Sequence, residues 1–184
     1  GIVGRTRVHN PASNAVVTSG AGLRYDAWPW KPISFGANAG ATFGSTERSG
    51  GEVKLRALSL GASAGWRPLE TERFGITTSL GAGISHVTIE GTSNDEDIGS
   101  ASVSGVTAYT RLVITPSLRA GHFEFGLPLE VGYLFRAPRG EVLDDDESPV
   151  QLDGIAAGLG LAVSFGWSPR SDARQTANSP RSRR

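Results

Sequence analysis

A chain of 184 residues with 25 Gly, no Cys and a formal net charge of zero has the size of one domain. Without Cys there are no disulfides and no thiolate metal sites, and balanced charge gives no general pull toward nucleic acid. Hydrophobic residues make up 38% of the chain and never run to the ~18 in a row that a membrane-spanning helix needs. A barrel that crosses a membrane with strands escapes that test, because only alternate residues face lipid, and eight strands with their loops fit this length.

The elements follow in chain order. Residues 1–9 alternate poorly and are the only candidate for a first strand. From Val17 a period of two sets in, with Val17, Ser19, Ala21, Leu23 and Tyr25 against Thr18, Gly20, Gly22 and Arg24. Ile33, Phe35, Ala37, Ala39, Ala41 and Phe43 then alternate with Ser34, Gly36, Asn38, Gly40 and Thr42. Leu58, Leu60, Ala62, Ala64 and Trp66 stand against Ser59, Gly61, Ser63 and Gly65, and Phe74, Ile76, Thr78, Leu80, Ala82 and Ile84 against Gly75, Thr77, Ser79, Gly81 and Gly83. Val106, Ala108, Leu112, Ile114 and Leu118 oppose Thr107, Tyr109, Arg111, Thr115 and Ser117; Phe123, Phe125, Leu127, Leu129, Val131, Tyr133 and Phe135 oppose His122, Glu124, Gly126, Glu130 and Arg136. The last run is the clearest: Ile155, Ala157, Leu159, Leu161, Val163, Phe165 and Trp167 alternate with residues that are all Gly, Ala or Ser.

A period of two sorts these sets onto opposite faces of a strand. One face is greasy for the whole length of the last run and mainly greasy in the others, and the opposite face is small or polar, which fits lipid outside and a lumen inside. No charge falls on the greasy face of these cores, whereas Arg24, Arg111, Glu124, Glu130 and Arg136 all take the inward register. The expected fold is therefore an all-β, transmembrane, antiparallel up-and-down barrel of about eight strands over residues 1–167. Unpaired charge in a narrow lumen is costly, so Arg–Glu pairing or water is expected there.

Connections near residues 26–32, 67–73 and 119–121 are short, and those at 44–52, 90–101 and 137–151 are longer and polar. That alternation matches periplasmic turns and extracellular loops. Trp28, Trp30, Trp66 and Trp167 then all fall at one membrane interface, where an indole buries its ring and keeps its N–H wet. Phe43, Tyr133 and Phe135 supply the opposite belt. Residues 168–184 hold five Arg, two Pro and little to bury, so a disordered periplasmic tail is expected. No leader precedes Gly1, and the sequence reads as a mature or trimmed chain.

The aromatic end of the last run resembles the closing strand of bacterial outer-membrane barrels, where such a residue belongs to the assembly signal. That resemblance implies the barrel assembly machinery as a partner and the bacterial outer membrane as the location, with lipopolysaccharide among the surrounding lipids. The whole pattern resembles the small OmpA/OmpX-type barrels, whose side chains fill the interior.

Chemistry is sparse in this chain. His86, with Thr88 and Glu90 following at alternate positions, is slightly similar to the His and hydroxyl pair on the outer face of lipid A deacylase barrels. Here the hydroxyl is Thr and the flanking motif is missing, so a histidine at the lipid–water boundary is the simpler reading. Asp95, Asp97, Asp144 and Asp146 belong to acidic runs that could offer oxygen ligands to a hard cation, but they lack EF-hand spacing and read as solvated loops. Lys54 and Arg56, near an extracellular strand end, could pair with lipopolysaccharide phosphates, and surface charge unrelated to lipid explains them as well. No cofactor is implied. The expected role is structural or surface-interacting and non-enzymatic, with a narrow pore and a lipid-modifying enzyme as alternatives.

Overall fold

The computed structural model describes residues 2–9, 16–30, 32–48, 51–93, 100–136, 139–140, 150–151 and 154–165. In chain order the strands are β1 (Ile2–His9), β2 (Val16–Trp30), β3 (Ile33–Arg48), β4 (Gly51–Glu70), β5 (Phe74–Ser93), β6 (Ser100–Ala120), β7 (Phe123–Gly126), β8 (Leu129–Phe135), β9 (Arg139–Gly140), β10 (Val150–Gln151) and β11 (Gly154–Phe165). Neighbours in sequence pair antiparallel from β1 to β7, and β11 pairs with β7 and β8. The sheet closes because β1 pairs on both sides, Ile2 lying opposite Leu23 of β2 and Val163 of β11. The first strand that the pattern showed weakly is therefore present, and parity is satisfied.

β7 and β8 are one barrel strand interrupted at Leu127 and Pro128. Proline has no N–H for the ladder. The neighbours repair the gap through Leu127 N–H to Pro116 O (3.0 Å) and Gly160 N–H to Pro128 O (3.0 Å). Counting that pair once gives eight antiparallel up-and-down strands. β9 and β10 form a separate two-stranded hairpin.

Burial inverts the order of a water-soluble protein. Leu23, Leu58, Leu60, Leu80, Leu161 and their outward-register companions are exposed, while Thr18, Ser34, Asn38, Thr42, Ser79 and Arg111 are buried. In a bilayer that exposed apolar belt is the face that lipid covers.

Strands β3 to β6 run well beyond that belt, into stretches that had read as loops. Between β3 and β4 only residues 49–50 intervene. Past Leu58 and Ile84 the amphipathic pattern reverses. Glu52, Lys54, Arg56, His86, Thr88 and Glu90 take the outward positions, and Val53, Leu55, Val87 and Ile89 form an apolar cluster inside. The reversal has a plain cause. Outside the bilayer a strand meets water on its outer face, so its apolar side turns inward. A reading keyed to greasy-outside runs stops at that level.

Close packing across the lumen requires glycine at Gly83. A Cβ there would strike the Leu60 carbonyl and stand 2.7 Å from the Tyr109 hydroxyl. Gly83→Ala is expected to destabilise the folded barrel by about 1–3 kcal/mol, read as a lower urea midpoint in lipid vesicles. An unchanged midpoint would show that this contact relaxes freely.

Candidate functional site

Two regions concentrate polar chemistry, the lumen and the outer rim at the loop end.

At the turn end, β4 and β6 carry their inward registers past the belt to place Arg67 and Arg119 inside. Glu124, from β7, accepts from Arg67 Nη2 at 3.0 Å, from Arg119 Nε at 3.3 Å and from the Ser117 hydroxyl at 2.6 Å. Glu70 lies 2.8 Å from Arg119 and 3.8 Å from Arg67. The Arg67 guanidinium also donates through Nε to Thr77 Oγ1 at 3.1 Å and sits 4.6 Å above the Trp28 ring. This is a four-charge plug with two carboxylates and two guanidiniums.

Farther in, Arg24 forms a two-pronged pair with Asp26 (2.7 and 2.9 Å) and donates to Ser79 Oγ at 3.1 Å. Arg111 is 7% exposed and lies 3.8 Å from Glu130, itself 12% exposed. Beside it the Tyr109 hydroxyl donates to Asn38 Oδ1 at 3.1 Å. A cavity of about 40 Å³ adjoins this pair, bounded by Thr42, Ser59, Ser85, Leu55 and Val87 among others. Beyond it Val53, Leu55, Val87 and Ile89 pack as a buried apolar cluster on the inner face of β4 and β5, with Leu55 directly opposite Ile89. Among the described residues, Ser34 Oγ, Asn38 Nδ2 and Ser63 Oγ are buried with no hydrogen-bond partner.

Arg24, Arg111, Glu124 and Glu130 thus lie inside, and the structure supplies partners that the pattern did not name: Asp26, Arg67, Glu70 and Arg119. Arg67 and Arg119 had been assigned to turns, yet each continues the inward parity of its strand, and that parity was the available signal. Arg136 departs from expectation. It follows the last residue of β8, is exposed, and has φ of 49°, so the strand register no longer governs it. Trp28 also departs. It faces inward over Arg67, whereas Trp30 and Trp66 are outward and exposed at the turn end. A register shift between Ala27 and Trp30 separates the two indoles. Phe43, Tyr133 and Phe135 are exposed on the outer face toward the loop end, with the Tyr133 and Phe135 rings 4.8 Å apart. Trp167, Asp95, Asp97, Asp144 and Asp146, together with residues 168–184, lie outside the described residues.

On the outer rim, His86 is exposed between Leu58 and Val106, Thr88 lies between Arg56 and Ser104, and Glu90 between Lys54 and Ser102. Among the described residues no hydrogen bond joins His86 to Thr88 or Glu90. The Glu90 carboxylate instead stands 3.8 Å from Arg56, and Glu52 is 3.2 Å from Lys54. The three residues share a face without forming a relay.

No protein-family model matches the chain, and no curated protein does. Solved structures do. The outer membrane enzyme PagL superposes with a TM-score of 0.52 at 13% identity, over 86% of this chain and 95% of its own. Ail, the attachment invasion locus protein of Yersinia pestis, gives 0.52 at 14% identity, over 90% of this chain and 93% of its own. Neisserial surface protein A gives 0.52 at 13% identity, over 88% and 90%. At such identities the likeness is one of fold. Together with the exposed apolar belt, it shows that the chain has the fold of these outer-membrane proteins, a closed, antiparallel, up-and-down barrel of eight strands.

Proposed function

We propose that the protein is a closed, non-enzymatic outer-membrane barrel with a structural or surface-interacting role. Its structural neighbours include an enzyme and an attachment protein, so fold does not choose between those roles. The observation that supports this reading is the filled lumen. A four-charge plug at the turn end, the Arg111–Glu130 pair in the middle and an apolar cluster at the loop end stand in series. Eight strands leave an interior about as wide as side chains can fill. Lipids and lipopolysaccharide surround the belt, and β11, ending on the aromatic Phe165, offers the closing strand to the assembly machinery.

In planar bilayers the expected result is no steady conductance. Steady current whose ion preference shifts in Glu130→Ala would instead make the protein a narrow pore. An acylated glycolipid assay addresses the enzyme alternative. Since His86, Thr88 and Glu90 form no relay, no turnover is expected, and turnover that disappears in His86→Ala would overturn the non-enzymatic reading.

A further inference from the structure

The barrel wall is one strand short at its turn end. β1 starts with Ile2 opposite Leu23 of β2 and Val163 of β11. Past that row β2 runs on from Arg24 to Trp30 and β11 runs on to Phe165, and among the described residues no strand lies between them. Tyr25 and Phe165 are the next outward residues on the two sides. Tyr25, 73% exposed, is the most exposed large hydrophobic side chain among the described residues. A depression of about 540 Å³ has Leu23 and Tyr25 on one bank and Phe123, Val163 and Phe165 on the other, and it also touches Arg24 and Asn38 of the inward register. The ion pair just inside is less buried than the middle one. The Arg24 and Asp26 side chains are 18% and 26% exposed, against 7% and 12% for Arg111 and Glu130.

We infer that this slot binds an extended peptide strand of another polypeptide, which enters from the turn end and continues the line of β1 antiparallel to β2 and β11. Neighbouring strands lie about 4.8 Å apart, so the two edges that flank β1 stand about 10 Å apart where it ends, with room for one strand. Such edges present backbone N–H and C=O groups that hydrocarbon cannot satisfy. A lipid chain has no backbone to pair with them. A second copy of the barrel has no strand to lend, since within the belt each of its strands is already paired on both sides. An extended peptide answers both edges at once by strand addition, and it prolongs a ladder that β1 already makes with both neighbours. Register sets its sequence. The residue between Tyr25 and Phe165 is apolar, and the next one, opposite Asp26, is small and uncharged because Arg24 already balances that carboxylate. None of this depends on whether the lumen conducts, so this inference and the closed-barrel reading can fail separately.

The chain has no Cys, so a single introduced thiol reports contact cleanly. Tyr25→Cys, or Phe165→Cys if the first variant does not fold, is folded into lipid vesicles and mixed with a short peptide. The peptide alternates valine and serine, is capped at both ends, and carries one cysteine. A heat-dependent gel shift establishes that each variant is folded. Disulfide capture is expected to be about tenfold faster with the cysteine at a valine position than at the serine beside it. Val131→Cys, exposed on the far wall, should capture neither. Methylating the peptide's backbone nitrogens removes its donors and should slow capture about tenfold. The same segment fused ahead of Gly1 should block capture in trans and raise the urea midpoint. Equal capture at valine and serine positions, at Val131→Cys, or with the methylated peptide would mean partition into lipid and would overturn the inference. So would a folded variant that captures no peptide, or a fusion that leaves the midpoint unchanged.

Discussion

Arginine at Leu80 or Leu161 is expected to prevent the chain from inserting. Leu80 is 64% exposed and Leu161 72% exposed, and each stands mid-strand on the outer register. Leu80 lies between Ala64 and Leu112, and Leu161 belongs to the unbroken outward row of β11. A guanidinium at the bilayer midplane costs about 2–4 kcal/mol, and an alanine or leucine neighbour offers it no counter-charge. One residue away the outcome differs. Ser79 is buried on the lumen side and already accepts from Arg24 Nη1 at 3.1 Å, so a carboxylate in Ser79→Asp meets a cation. Folding into vesicles, read by the heat-dependent gel shift, should fail for Leu80→Arg and Leu161→Arg and persist for Ser79→Asp. If all three fold alike, the inside–outside assignment is wrong.

That contrast rests on the part of the fold most legible in the sequence. Within the bilayer two solvents act on the two faces of each strand, so the alternation of Leu58, Leu60 and Leu80 against Ser59, Gly61 and Ser79 is forced and can be read directly. Where the physics changes, reading fails for stated reasons. Above Leu58 the outer solvent becomes water, and Val53, Leu55, Val87 and Ile89 turn inward, so strands looked like loops. Trp28 keeps the inward parity of Arg24 and Asp26, and the register shift before Trp30 turns only that second indole outward, so two tryptophans of one turn take opposite faces. At Arg136 the ladder has ended. Lumen partners were the least legible. Inward parity places Arg111 and Glu130 inside without saying which carboxylate meets which guanidinium, because that depends on the stagger of the paired strands and on reaches such as Arg67 to Glu124 between strands far apart in sequence.

The turn-end plug gives the second large effect. Glu124→Leu removes the carboxylate shared by Arg67 and Arg119 and also strands the Ser117 hydroxyl. Glu70 remains, 2.8 Å from Arg119 but 3.8 Å from Arg67, so one carboxylate faces two guanidiniums. Removing one partner of a fully buried pair costs about 3–5 kcal/mol because a charge is left uncompensated. The Arg67 and Glu124 side chains are 13% and 20% exposed, so water screens part of that and a loss of about 1–3 kcal/mol is expected. Glu124→Gln keeps an acceptor and should cost less. The Arg111–Glu130 pair supplies the opposite case. Replacing both members, as Arg111→Met with Glu130→Leu, takes two charges out together and is expected to be nearly neutral or stabilising. Urea titrations of the vesicle-folded protein separate these outcomes. A large loss for Glu124→Leu beside little change in the Arg111/Glu130 double variant would show that charge balance in the lumen, rather than any single bridge, holds the plug. Equal losses in the two would mean that the middle pair is a structural keystone in its own right.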